Sequence, residues 1–417
     1  MKLNYKPIGE FIRQVKRKNS GGKITRLLGV NLDKKFISSV ANIIGADMDN
    51  YLVINKGQFG CKLMSVGRDK HLPISLLQNF EEAIISLAYY VFEIVDKEKL
   101  LDDYLMMWLS RPESDRYLWF ISGSDVRGGI GWDDFCTLPI LVPTLEKQKK
   151  IVAEYNIIVN RIKLNEQLNQ KLEETARAIY KQWFVDFEFP DENGKPYKSS
   201  GGKMEYNCKF ECEIPKGWDF KKLSDITTKI GSGATPKGGK AGYRNNGIAL
   251  VRSMNVFDFN FTFRNLAYID KKQADKLSNV ALKKNDVLLN ITGVSVARCC
   301  KIPESVLPGR VNQHVAIIRL KAVCKAHNLL LCSLCSTEYR SKLLGISEGG
   351  STRQALTKTD LEKTELLVPD CTTLNKFETV AEAIFKQKEE LVLHNKYLDE
   401  FKELLLLSLA TKNNVHK

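Results

Sequence analysis

The sequence predicts an α+β protein built from two copies of one small domain, each followed by a long helix. Three observations predict it: an internal repeat, a heptad pattern after each copy, and short β-type runs bounded by turn residues within each copy. The 417 residues exceed one ordinary domain, and a 43% hydrophobic content can build more than one core.

Residues 122–143, SGSDVRGGIGWDDFCTLPILVP, align without a gap with residues 348–369, EGGSTRQALTKTDLEKTELLVP. Gly123 matches Gly349, 226 positions later, Arg127 matches Arg353, and Asp134 matches Asp360. Leu141-Val142-Pro143 matches Leu367-Val368-Pro369. Upstream, the run from Tyr5 to Phe11 parallels the run from Phe220 to Ile226. Downstream, Val152-Ala153-Glu154 recurs as Val380-Ala381-Glu382, and Asn165 and Leu168 are echoed by Asn395 and Leu398. A period this long means a duplicated domain and excludes a solenoid of short repeats.

Each copy runs into a heptad. One row of the first helix is Ile151, Ile158, Asn165, Leu172 and Ile179, and the other is Tyr155, Ile162, Asn169, Ala176 and Trp183. The second helix offers Phe377, Ile384, Leu391, Leu398 and Leu405, joined by Val380 and Phe401, with Gln387, His394 and Ser408 in its other row. Roughly 35 residues at about 1.5 Å each make a helix on the order of 50 Å long, whose apolar stripe needs a partner. Two helices matched in length and pattern can bury their stripes against each other; packing of each on its own domain is the alternative. Asn165 and Asn169 read as polar pins of the register.

Between them the domains are strand-rich. Residues 247–256, 286–291 and 314–320 of the second copy, and 51–55 and 84–95 of the first, are β-type runs. Helices around 329–344 and 100–109 cover one side of a twisted, largely antiparallel sheet. Residues 190–216, rich in Pro, Gly and Ser, read as an exposed linker. The expected order is a first domain at 1–144, a first long helix at 145–189, the linker, a second domain at 217–370 and a second long helix at 371–413.

Lys plus Arg number 63 against 49 Asp plus Glu, a formal net charge of +14 that favours a polyanionic partner. The loop 229–244, KIGSGATPKGGKAGYR, holds Lys229, Ser232, Thr235, Lys237, Lys240 and Arg244 and no acid. Its glycines let backbone amides approach phosphates, and its hydroxyls can donate; a solvated surface loop is the other reading. Arg298, Lys301, Arg310, Asn312 and Gln313 form a second polar-basic group, and Arg, Asn and Gln are side chains of the kinds that read base edges in the major groove. Arg252 and Arg68 complete the basic candidates. Arg353 and Gln354, with Arg127 at the matching place in the first copy, suit a shared phosphate clamp, a helix-capping turn, or both.

Catalytic motifs are missing. Residues 234–241, ATPKGGKA, lack the first Gly and the final Ser or Thr of a phosphate-binding loop. No Pro-Pro occurs, so the Asp/Asn-Pro-Pro-aromatic motif of amino-methylating DNA methyltransferases is absent. Cys332 and Cys335 form a lone pair, better read as buried thiols than as a metal or redox site, and Cys208 and Cys212 are no stronger. The first 17 residues have no apolar core, and the run 83–95 is interrupted by Ser86 and Glu93, so neither a signal peptide nor a membrane span is expected. A cytosolic protein with reduced thiols is expected, with no cofactor or metal of its own.

Several stretches resemble the specificity subunits of type I restriction-modification systems. They are AIYKQWFVDFEF at 178–189, EIPKGW at 213–218 with the KKLSDITTKIGSGATP that follows, LKKNDVLLNITGVSVARCCK at 282–301, Val311-Asn312-Gln313-His314, and the Leu-Val-Pro before each helix. The resemblance covers essentially the whole chain; the first half lacks the Gly-Trp start and a second Asn-Gln motif. It implies that each domain is a target-recognition domain reading one half of a bipartite, asymmetric site on double-stranded DNA. It implies that the two helices pack antiparallel as a coiled coil and set the spacing. DNA adenine methyltransferase subunits dock on such a chain and restriction and translocation subunits join them, bringing S-adenosylmethionine, ATP and magnesium. A subunit of a methylation-only or phage-defence system is the alternative.

Overall fold

The computed structural model describes residues 5–39, 48–123, 129–236, 239–349 and 354–409. The chain divides into two compact units, Met1–Ile162 with Tyr397–Lys417, and Lys163–Lys396.

In the first unit, β1 (Lys6–Pro7), β2 (Ile12–Val15), β3 (Leu52–Asn55), β4 (Phe59–Cys61), β5 (Ile74–Leu76), β6 (Glu82–Ile85) and β7 (Tyr90–Ile94) precede α1 (Asp102–Leu109), α2 (Pro112–Ile121) and β8 (Pro139–Ile140). The run 84–95, expected as one strand, is two strands. The amide of Tyr89 donates to Ser86 O at 3.1 Å, closing a turn that directs β6 to pair with β3 and β7 with β2 and β4. The four-stranded sheet has the order β2-β7-β4-β5, with antiparallel neighbours throughout. Phe59 stacks on Phe92 beneath Trp132 and Phe135 in the unit's core.

The helix α3 (Leu145–Phe184) follows. The second unit then contains β9 (Met204–Asn207), β10 (Cys212–Pro215), β11 (Asp219–Lys222), β12 (Thr227–Ser232), β13 (Ile248–Val251), β14 (Ala267–Ile269), β15 (Val287–Asn290), β16 (Cys299–Lys301), β17 (Gly309–Val311), β18 (Val315–Leu320), α4 (His327–Leu334), α5 (Thr337–Glu348), β19 (Glu365–Val368) and the start of α6 (Cys371–Ser408). The run 329–344, expected as one helix, is two. The chain leaves helical geometry at Ser336, whose side chain accepts the Tyr339 amide as the N-cap of α5. The range 190–216 is exposed over much of its length, yet it folds β9 onto β10 and buries Ile214.

The duplication extends to the hydrogen-bond register. The second sheet has the order β12-β18-β15-β16, the same topology as the first. Phe59 lies opposite Phe92 where Val287 lies opposite Ile318, and Cys61 opposite Tyr90 where Leu289 lies opposite Ala316. Lys6 faces Ile140 where Lys221 faces Leu366. The Ile130 amide donates to Leu63 O as the Leu356 amide donates to Ile291 O. The second unit also has a parallel pair, β13 with β17, alongside its antiparallel ladders.

The stretch 178–189 is explained by packing. Phe184 meets Trp218 at 5.5 Å and Phe377 edge-on at 4.7 Å, and Phe189 stacks on Trp218 at 5.0 Å. The end of α3 and the start of α6 therefore share the second unit's core. Asp286, fully buried, is paired by the forked guanidinium of Arg319 at 2.7 Å and accepts the Lys283 amide at 2.8 Å, so Lys283 to Asp286 is a structural turn. Cys332 and Cys335 are buried, and burial pushes the Cys332 thiol well up.

Along α3, both expected rows are buried or half-buried. Within the second unit, Asn165 meets Asn395, Glu173 meets Lys388 and Trp183 meets Phe377, so the helices run antiparallel. Within the first unit, Val152 shares a core with Leu406 and Leu409, and Ile158 shares a groove with Phe401 and Leu405. The second row of α6 needs correction. Gln387 and His394 are exposed, as are Val380 and Phe401. The buried or half-buried row is Leu374, Ala381, Lys388, Asn395, Lys402 and Leu409. It has a heptad period, but Lys388, Asn395 and Lys402 disguise it in the sequence. Their polar ends are partner-dependent: Lys388 donates to Glu173, and Asn395 accepts from Asn165.

Candidate nucleic-acid interface

Antiparallel pairing brings three segments to one end of the second sheet: the exit of β12, the entry to β18 and the exit of β15. Close approach requires Gly233, because a Cβ there would sit 1.8 Å from Val311 O. Its amide donates to Asn312 O at 3.1 Å, tying the first segment to the second. The Ile291 amide donates to His314 O at 3.0 Å, tying the third.

A chain of side-chain hydrogen bonds crosses these segments. The Thr235 hydroxyl donates to Gln313 Oε1 at 2.8 Å, and its amide donates to the same oxygen at 3.3 Å. Gln313 Nε2 lies 3.3 Å from His314 Nε2, and His314 Nδ1 lies 2.6 Å from Thr292 Oγ1. An amide nitrogen can only donate, so His314 Nε2 accepts and its proton sits on Nδ1, donating to Thr292. Buried Asn312 accepts the His314 amide through Oδ1 at 3.0 Å and holds the turn. Gln313 is exposed and its amide plane is set from both sides. Thr235 takes both lone pairs of Oε1 and His314 one N–H of Nε2, so one N–H remains for an outside partner, a donor that suits a base-edge acceptor such as a purine N7 in the major groove.

Thr235, Asn312 and Gln313 are thus brought together. Gln354 is joined to them through its carbonyl, which accepts the Gly293 amide at 3.0 Å, while its side chain donates to Glu348 at 3.1 Å. Ser232 ends β12 opposite Ala316, and Lys229 lies within that strand opposite Arg319. Arg298 rests over the Phe257 ring at 5.0 Å.

The other arginines have partners within the protein. Arg310 donates to Ala274 O at 3.0 Å and Gly309 O at 2.9 Å. Arg252 donates to Asn265 O and lies over the Tyr243 ring, and Arg244 lies 3.5 Å from Asp270. In the first unit, Arg68 is exposed and forks onto Asp69 at 2.7 and 3.0 Å, which holds the Asp69 carboxyl below its usual range. Lys237, Arg127 and Arg353 lie outside the described residues, as does the side chain of Lys240.

Thr292 and His314 belong to the network but are not among the sequence candidates. The signals were the Thr292-Gly293 break after an apolar strand and the place of His314 at the end of Val311-Asn312-Gln313-His314. Among the described residues, no group of three or more His, Cys, Asp or Glu could hold a metal ion. No helix among them is long and apolar enough to cross a membrane.

The chain matches no protein-family model. It is 26% identical over 314 residues to the specificity subunit of the type I restriction enzyme MjaIX of Methanocaldococcus jannaschii, covering 72% of this chain and 67% of that one. It is 22% identical over 458 aligned positions to the specificity subunit of the type I restriction enzyme HindI of Haemophilus influenzae, covering 96% of both. Among solved structures, the S subunit of a type I restriction-modification system from M. genitalium matches with a TM-score of 0.57 and 11% identity, over 98% of this chain and 96% of that one.

Proposed function

We propose that this chain, a homologue of type I restriction-modification specificity subunits, reads a two-part DNA site and carries no chemistry of its own. The observation that carries the reading is the duplicated sheet, whose second copy presents Gln313 pre-oriented between Thr235 and His314. Readout by hydrogen bonds needs an amide held in one orientation, because a freely rotating one loses discrimination to entropy. The domains at 1–144 and 217–370 each read one half-site, and the intervening base pairs go unread.

The basic balance of the chain supports sequence-independent phosphate contact, supplied in the second domain by the segment 229–244, which carries Lys229 in the end strand β12 and Lys237, Lys240 and Arg244 after it. Arg127 and Arg353 contact phosphate from the repeated block. Adenine methyltransferase subunits dock on the paired helices, and restriction subunits join them. S-adenosylmethionine, ATP and magnesium belong to those partners.

The test is binding by the purified chain together with its methyltransferase, measured by fluorescence anisotropy on genomic fragments and then on synthetic duplexes. Sequence-selective binding, with no methylation or cleavage by the chain alone, is expected. Equal affinity for all duplexes would overturn the reading.

A further inference from the structure

Because the two sheets share a register, each position at the DNA-facing end of the second has a counterpart in the first. Val15 lies opposite Val91 where Gly231 lies opposite Ile317. Continuing along the strands, Lys16, Arg17 and Lys18 hold the places of Ser232, Gly233 and Ala234, and Leu87 holds the place of Gln313. All three cations are exposed. Arg17 lies 3.9 Å from Glu82 and 3.4 Å from Asn55 Oδ1, and Lys18 lies 3.3 Å from Asn50 Oδ1, so these contacts hold the side chains loosely at the surface. Leu87 tips the turn between β6 and β7 and is 61% exposed. Below it, the Tyr89 hydroxyl accepts the Val30 amide at 3.1 Å, and Lys62 stands 5.9 Å from the Tyr89 ring.

We propose that this end of the first sheet is the first unit's DNA-contacting edge, with Lys16, Arg17 and Lys18 on phosphates and Leu87 in apolar contact with a base edge that carries a methyl group, a thymine. The inference rests on the reading of the chain as a DNA-specificity subunit. Two observations carry it. Three consecutive cations leave the sheet where the second unit has small residues, and duplex DNA is a polyanion with closely spaced charges. An exposed leucine stands where the second unit has an amide. The thymine C5-methyl is the apolar group on a major-groove base edge, and apolar side chains recognise it. The two units thus divide the labour differently: the second holds a hydrogen-bonding amide at its tip, and the first an apolar tip flanked by charge.

The test uses the full chain co-expressed with its methyltransferase, with the wild-type methylated motif mapped first. The triple variant K16Q/R17Q/K18Q should bind a duplex bearing that motif more weakly, with its log–log salt slope reduced in magnitude by about 2–3. The variant K16R/K18R, which keeps the charge, should retain the wild-type slope. L87Q should change the base accepted at one position of one half-motif and leave the other half unchanged, which also reports a folded complex. A triple variant with wild-type slope and affinity, or an L87Q variant with both half-motifs unchanged, would overturn the inference while leaving the broader reading intact. Absence of a two-part motif in the wild type would overturn the broader reading itself.

Discussion

Asn165 donates through Nδ2 to Asn395 Oδ1 at 2.7 Å, and the two residues are each other's counterparts in the internal repeat. In an antiparallel pair equivalent positions meet near one layer only, and Glu173 with Lys388 and Trp183 with Phe377 set that direction. Asn165 is 1% exposed, and its Nδ2 also lies 3.2 Å from His394 Nδ1. Asn165→Ala should cost about 1–3 kcal/mol in a urea melt, because Asn395 would lose its buried donor. The double variant Asn165→Leu with Asn395→Leu should melt higher but lose its unique register, seen as added species in sedimentation velocity. A single, wild-type-like species would contradict a register role for this layer.

Lys388 and Glu173 form the neighbouring polar layer, 3.1 Å apart, with the Lys388 side chain 3% exposed. Burial lowers the Lys388 pKa, and Glu173 opposes that shift. Glu173→Gln leaves a buried cation without its counter-charge and should cost about 3–5 kcal/mol. Lys388→Met should be far milder, since Glu173 keeps Arg177 at 3.1 Å. Thermal melts of the two variants settle the order, and equal losses would contradict it.

Glu378 caps the start of α4, accepting the Asn328 amide at 3.0 Å and the Leu329 amide at 2.8 Å. Burial nevertheless pushes its pKa up to about 7 from an ordinary 4.5. The folded state therefore holds this proton more tightly than the unfolded chain does. The stability involved is fully present below pH 4.5 and is lost as the pH rises through about 7. Relative to wild type, Glu378→Gln should gain on the order of 2–3 kcal/mol between about pH 5 and pH 8. A difference that does not change with pH would contradict the burial account.

Gln313→Ala should relax discrimination at one base position by about 1–3 kcal/mol and leave the salt slope unchanged. Lys237→Gln with Lys240→Gln should do the reverse, weakening all sequences alike and lowering the slope by about 0.9 per lost contact. Anisotropy titrations at several salt concentrations separate the two. Unchanged binding in the lysine variant would mark that loop as a bystander.

The duplication was legible from the ungapped match of Gly, Arg, Asp and Leu-Val-Pro, and the long helices and strand-rich units from their apolar periods, whereas the antiparallel sense of the helices came only from the family resemblance. The second row of α6 was not legible, since Lys388, Asn395 and Lys402 place polar side chains in it. The single run 84–95 concealed a turn because Leu87, Ala88 and Tyr89 carry no turn signature. Composition put Arg252, Arg298 and Arg310 on the same footing as Gln313. Their separation depends on carbonyl and ring partners that converge only through the fold, as does the link from Thr235 through Gln313 and His314 to Thr292.

The most direct measurement is a methylome map of a host without adenine methylation of its own, expressing this chain with its cognate methyltransferase. The account predicts methylated adenines in one asymmetric motif of two short halves separated by unread bases. A continuous motif, or methylation that is unchanged when this chain is omitted, would contradict it.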